Sequence, residues 1–330
     1  MIARIGAFVV MLIVGILLYA MSKSIPLAII IALPAGYFTY KRSVRKYNLR
    51  AEILKTPFPE NWRKLLQENV EFYQHLNEEQ KIRFEKEIQV FLAEKRVTGI
   101  QTEIDDLTMV LVAASAVIPV FNFPEWEYED LGEVLVYPTN FGFDFQMSDQ
   151  QNVSGMVGHG GVMDKVMILS KPSLIAGFRS QNDNHNVGIH EFAHLVDKAD
   201  GHIDGLPSAY LKPALMQPWI ELMHEYIQEI NAGRTDFNPY GGTKPEEFFA
   251  VASEYFFESP EEMKQKHPEL YSFMTEIYQQ ENQHLFRSAM KDIFRPNGKQ
   301  ISGDALCPCK SSRKYKNCCL LRAKAYGIKH

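Results

Sequence analysis

Two histidines four positions apart, His190 and His194, stand in a mostly apolar segment, Gly188-Ile189-His190-Glu191-Phe192-Ala193-His194-Leu195-Val196. This spacing predicts an α-helix that presents both imidazoles on one face, one turn apart. Phe192, Ala193, Leu195 and Val196 direct the helix into a core, and imidazoles buried among apolar side chains need partners. One zinc ion would partner both. A catalytic zinc usually takes three protein ligands and leaves one position for water, so a chain like this must bury the helix and bring a third ligand to it from elsewhere.

Glu191 lies next to the first histidine and can reach a water at such a metal without ligating it. Zinc lowers the pKa of that water to about 7, and a carboxylate beside it can take the proton and later give it to a leaving amine. The pattern implies peptide hydrolysis of the zincin type, acting on a peptide or protein substrate. The bland alternative is an amphipathic core helix with two polar histidines.

The third ligand is sought in Pro245-Glu246-Glu247-Phe248-Phe249-Ala250-Val251-Ala252-Ser253-Glu254-Tyr255-Phe256-Phe257, a strongly apolar helix opening on proline. Glu247 and Glu254 are seven apart and share a face, so at least one carboxylate points inward. Periodicity does not choose between them. Asp197, three residues beyond His194, either orients a ligand imidazole from behind or faces water.

The rest of the chain frames this site. Residues 62–73 recur at helical spacing, and Asn77 with Gln80 predicts a capping box opening a helix whose core face holds Ile82, Ile88, Phe91 and Leu92. Residues 107–120 form an apolar run too short for a bilayer, and with Asp105 and Asp106 before it the run reads as a buried helix. Residues 132–138 read as a buried strand, and the Gly-, Asn-, Ser- and Asp-rich residues 140–161 as a surface loop. Residues 166–169 are a second strand, expected either as an edge beside the metal, able to pair with an extended substrate, or as an ordinary sheet strand. The fold class is α+β, mostly helical: a zincin-like domain with a small sheet.

Two appendages flank it. Residues 5–21 and 25–40 carry no charge and are separated only by Ser22-Lys23-Ser24; Lys41, Arg42, Arg45, Lys46 and Arg50 follow. They predict a transmembrane hairpin within residues 1–50, with the catalytic domain on the cytoplasmic side of the inner membrane by the positive-inside rule. A cleaved signal peptide, or one span plus a re-entrant segment kinked at Pro34, are the rival readings. At the other end all four cysteines fall within thirteen residues: Cys307-Pro308-Cys309, eight residues, then Cys318-Cys319. Two close thiolate pairs suit a tetrahedral structural zinc better than disulfides. The net charge of −5 argues against a general nucleic-acid binder, and no specific DNA binding is expected.

Taken together, residues 57–96, 134–138, 186–205 and 245–257 resemble the MtfA family of bacterial zinc peptidases, a likeness running over about residues 55–290 (domain bounds 55–295). Its most specific marks are His190-Glu191-Phe192-Ala193-His194 with Asp197, and Glu247-Phe248-Phe249-Ala250-Val251 with Ser253-Glu254-Tyr255-Phe256-Phe257. The family is described as gluzincin, related in its core to anthrax lethal factor. The resemblance implies that His190, His194 and Glu247 bind the catalytic zinc, that Glu191 is the general base, and that Tyr240 helps stabilise the oxyanion. Glu254 and Asp197 would then stand behind the ligands. One departure is Lys171, where the family pattern has Trp. The tail, residues 303–325, resembles the SEC-C motif of the SecA translocation ATPase, with Ser311, Lys314, Tyr315 and Lys316 also matching and Lys310 and Ser312 departing. Its Lys and Arg excess suggests docking to an acidic protein or to the ribosome. The competing function is a membrane-anchored adaptor in which hydrolysis is vestigial.

Overall fold

A computed structural model describes residues 11–14, 16–21, 23–123, 126–142, 153–158, 165–179, 184–278, 314 and 316. The chain divides into two units, residues 1–58 and 59–330.

In the first unit, helix α1 (Ile25–Ile53) runs through Pro34 without breaking and continues from the apolar stretch into the basic one. Among the described residues no helix is long and apolar enough to cross a membrane, which departs from the expected pair of spans. The apolar part of α1 is only sixteen residues, about 24 Å of helix against a ~30 Å hydrocarbon core. The first ten residues of the chain lie outside the described residues, as does the cysteine tail.

In the second unit, α2 (Glu60–Asn69) ends where Val70 turns extended, and the short α3 (Glu71–Gln74) follows, so residues 62–73 form two helices rather than one. Helix α4 (Glu78–Glu94) opens on the expected capping box, Asn77 accepting from the Gln80 N–H and Gln80 from that of Asn77. Its buried face is Phe84, Ile88 and Phe91, whereas Ile82 is exposed, against expectation. Helical spacing places Ile82 about 160° from Phe84 and about 180° from Phe91, on the far side from the core. Buried Glu85 on this helix is held by the Arg63 guanidinium and by the Tyr73 hydroxyl, 2.7 Å away, which fastens α2 and α3 to α4.

Strand β1 (Arg96–Gly99) leads to α5 (Asp106–Val120), apolar on all sides and buried from Val110 to Val120. Asp105 caps it, accepting from the Thr108 N–H at 2.7 Å. Strands β2 (Glu133–Tyr137), β3 (Gly155–Val157) and β4 (Val166–Ser170) complete a mixed sheet in the order β1-β2-β4-β3. β1 and β4 run parallel to β2, while β3 is antiparallel to β4 with Gly155 opposite Leu169. Of the two readings of residues 166–169, the ordinary sheet strand holds: β4 is interior. The edge beside it among the described residues is β3, which lies in the segment expected to be loop: three residues among glycines carry too little periodicity to register as a strand.

The chain then forms α6 (Lys171–Arg179), α7 (Val187–Asp197), α8 (Pro213–Asn231), α9 (Pro245–Glu258), α10 (Pro260–Lys266) and α11 (Pro268–Ile277). Helix α7 is packed between α5, α9 and the β3–β4 side of the sheet.

Candidate active site

Helix α7 starts at Asn186, whose side-chain oxygen accepts from the Ile189 N–H at 3.1 Å while its amide donates to the Gly177 carbonyl at 3.1 Å. Every residue of the helix is buried. Gly188 meets α5 so closely that a Cβ there would overlap Ser115 Oγ. Phe192 packs against Phe91 and Tyr128, at ring separations of 5.8 and 5.2 Å. On the opposite side the rings of His190 and His194 stand 4.9 Å apart at 84°.

Helix α9 answers the question that periodicity left open. Glu247 and Glu254 both face α7, and each meets His190 at a different nitrogen. Glu247 Oε2 lies 3.1 Å from His190 Nε2 and 3.5 Å from His194 Nε2. Glu254 Oε1 lies 2.7 Å from His190 Nδ1, and its Oε2 accepts from the Asn186 backbone N–H at 2.5 Å. His185, absent from the sequence-based expectations for the site, also faces Glu254, with Nδ1 3.3 Å from Oε2.

The three groups that face one another, His190, His194 and Glu247, offer ligand atoms all within 4.8 Å of each other. Zinc bonds of 2.0–2.1 Å arranged tetrahedrally put neighbouring ligand atoms about 3.4 Å apart. The separations of 3.1 and 3.5 Å between Glu247 and the two imidazoles fit that edge length. Charge agrees: burial alone would push the His190 imidazole down, yet the carboxylates of Glu254 and Glu247 raise it well above its ordinary value. Burial would raise Glu247, and the two imidazoles bring it below the ordinary carboxylate range instead. The pocket draws positive charge, and two imidazoles with one carboxylate are a donor set that suits zinc.

Glu191 is buried beside these groups, and that burial raises its carboxyl pKa against the opposing pull of His190 and His194. It sits against the edge strand at Gly155. Tyr240 lies in a 3₁₀ turn, Pro239–Gly242, where its N–H bonds Asn238 Oδ1 at 3.0 Å. Its half-exposed ring is 5.9 Å from that of His190, and partial burial with the nearby Glu247 and Glu191 carboxylates pushes its pKa up to about 12. Asn231 Nδ2 holds this turn through the Gly242 carbonyl at 2.8 Å.

Asp197 does not face water. It is fully buried, and its Oδ2 accepts from the backbone N–H groups of Asp204 and Gly205 at 2.8 and 2.7 Å. Gly205, at φ +74°, lies so close to α9 that a Cβ would overlap the Pro245 carbonyl. Asp197 thus ties the end of the histidine helix to the turn against which the Glu247 helix begins. Lys171, the departure from Trp, donates to Asp105 Oδ2 at 2.9 Å and to the Glu103 carbonyl at 3.0 Å, at the cap of α5. His224 is buried, His202 is exposed, and His159 lies outside the described residues. So do Cys307, Cys309, Cys318 and Cys319.

Sequence reasoning missed Gly155, Asn186 and His185. Asn186 carried a readable signal, an Asn directly before an apolar helix. The other two act through contacts with residues 36 and 69 positions away, which no local pattern reports.

Comparison with known proteins gives a consistent picture. The glucose-regulated metallo-peptidase M90 family matches residues 42–279, and the SEC-C motif matches residues 305–321. An uncharacterized protein of Synechocystis is 30% identical over 238 residues, covering 69% of this chain and 86% of that protein. Mlc titration factor A of Yersinia enterocolitica is 25% identical over 232 residues, covering 67% and 85% of the two chains. Mlc titration factor A of Escherichia coli is 28% identical over 220 residues, covering 62% and 81%. These matches bear out the resemblance to the MtfA family and to the SEC-C motif drawn from the sequence.

Proposed function

We propose that this chain, which belongs to the glucose-regulated metallo-peptidase M90 family, hydrolyses peptide bonds at a zinc held by His190, His194 and Glu247. The observation that carries the reading is the convergence of those three side chains, from two helices, beside the buried carboxylate of Glu191. Bound there, zinc supplies a Lewis acid that polarises a carbonyl and lowers the pKa of a water. Glu191 takes the proton of the attacking water, and its burial, which favours the protonated carboxyl, lets it hold that proton until the departing amine accepts it. Tyr240, with its hydroxyl still protonated at neutral pH, donates to the oxyanion as it develops.

The edge strand supports a place for the substrate. Ser154 and Gly158 bond β4 through the Ser170 N–H and the Val166 carbonyl, both at 2.8 Å. Antiparallel alternation then turns the N–H and C=O of Gly155 and Val157 away from β4, where an extended peptide can pair with them.

Glu191→Gln tests this reading by peptide cleavage at equal zinc occupancy. The expected loss is on the order of 10²- to 10⁴-fold with zinc retained. Equal rates would establish the adaptor instead. Glu247→Ala should remove the catalytic zinc, and retention of that ion would reject the ligand set.

Two finer elements rest on other observations. The SEC-C match supports a second, structural zinc on Cys307, Cys309, Cys318 and Cys319, so the full chain should hold two ions and Cys318→Ser one. The basic tail around it would dock an acidic protein or the ribosome. Attachment to the cytoplasmic face of a membrane is supported by the distribution of apolar surface. Among the described residues, fifteen of seventeen exposed large hydrophobic side chains lie between Leu12 and Leu54, and the basic stretch from Lys41 to Arg50 lies within α1. Full-length protein should float with anionic vesicles, and a protein that stays in the soluble fraction would reject the attachment.

A further inference from the structure

We propose that Gly155 is a positioning residue for Glu191: its missing side chain is the space in which the base carboxylate is held. The inference rests on the reading of Glu191 as general base.

Gly155 opens β3 and lies on α7. A Cβ at this position would stand 2.6 Å from both Cγ and Oε1 of Glu191 and 2.7 Å from Cγ2 of Val187. Carbon–carbon contact is comfortable at about 3.5–4.0 Å, so something must move. Val187 and Glu191 are one helical turn apart, and this is the face of α7 that meets the edge strand.

Three observations say what would move. Gly155 is not among the glycines with positive φ, which among the described residues are Gly201, Gly205 and Gly233, so its backbone does not call for glycine. The strand is pinned on both sides of it, at Ser154 and at Gly158. Val187 is buried and β-branched, and its χ1 is stiff. The remaining freedom belongs to the Glu191 carboxylate. An alanine at 155 therefore displaces the base while leaving His190, His194 and Glu247 in place.

The test is a double-mutant cycle in the zinc-loaded full chain: wild type, Gly155→Ala, Glu191→Asp and the double variant, read by kcat, KM and zinc content. Gly155→Ala should lower kcat on the order of 10²-fold, as a misplacement near 1 Å does, with zinc content unchanged. Aspartate draws the carboxylate back by one methylene, so Gly155→Ala should cost much less in that background. Equal fold-losses in both backgrounds, an unaltered kcat, or loss of zinc would each overturn the assignment. If Gly155→Ala does not fold, the cycle is repeated with Val187→Ala in all four proteins, which removes the second clash. Failure of the underlying reading is separate: it shows as Glu191→Asp and Glu191→Gln cleaving at the wild-type rate with Gly155 intact.

Discussion

Glu254 Oε1 lies 2.7 Å from His190 Nδ1, while Glu247 sits against the other nitrogen of the same ring. A carboxylate only accepts, so this contact places a ring proton on Nδ1; with zinc held at the corner shared with His194 and Glu247, Nε2 would be the nitrogen that presents its lone pair to the ion. Burial would raise the Glu254 carboxyl, but His190 and His185 bring its pKa below the ordinary value and keep the charge on it. Glu254→Gln should therefore weaken zinc binding about 10- to 100-fold without removing a ligand, as measured by competition with a chromophoric chelator. An unchanged affinity would contradict the role.

Tyr240 is half exposed, with its ring 5.9 Å from that of His190. Tyr240→Phe should leave zinc content and melting temperature unchanged and reduce kcat about 10²- to 10³-fold, the cost of one oxyanion donor. A fall confined to KM would make it a substrate contact instead.

His224 is buried in α8, and neither ring nitrogen has a hydrogen-bond partner. Burial pushes its pKa down to about 4 from an ordinary 6.5. The unfolded chain accepts a proton near 6.5 that the folded chain refuses until about 4, so the neutral ring's contribution is complete above pH 6.5 and is lost as pH falls between those values. The loss amounts to roughly 3 kcal/mol at its fullest. His224→Leu should show a smaller drop in melting temperature between pH 7 and pH 5 than the wild type; an equal drop would place the sensitivity elsewhere.

Val157 lies on the edge strand with its N–H turned away from β4. Val157→Pro removes that donor without breaking the ladder. KM for peptide substrates should rise about 2- to 10-fold, the worth of one hydrogen bond, with melting temperature held. An unchanged KM would mean that substrate does not pair at this residue.

Local rules made part of this site readable in the chain. The four-residue histidine spacing, the Asn77–Gln80 box, the Asp105 cap and the proline opening α9 all act within one or two helical turns, and each appears as expected. Reading by period failed where an element is too short to have one, as with β3, and where a face is set by what lies across from it, as with Ile82.

The sequence by itself determined that a buried helix would offer two imidazoles and a carboxylate, and that a second apolar helix would bring two more carboxylates on one face. It also determined family membership through those motifs. Only the tertiary structure decided that Glu247 meets both Nε2 atoms and Glu254 the far nitrogen, that β3 rather than β4 forms the edge, and that Asp197 binds a turn. The reason is range: a helix face follows from 3.6 residues per turn, whereas which carboxylate meets which nitrogen depends on the crossing and register of elements some sixty residues apart.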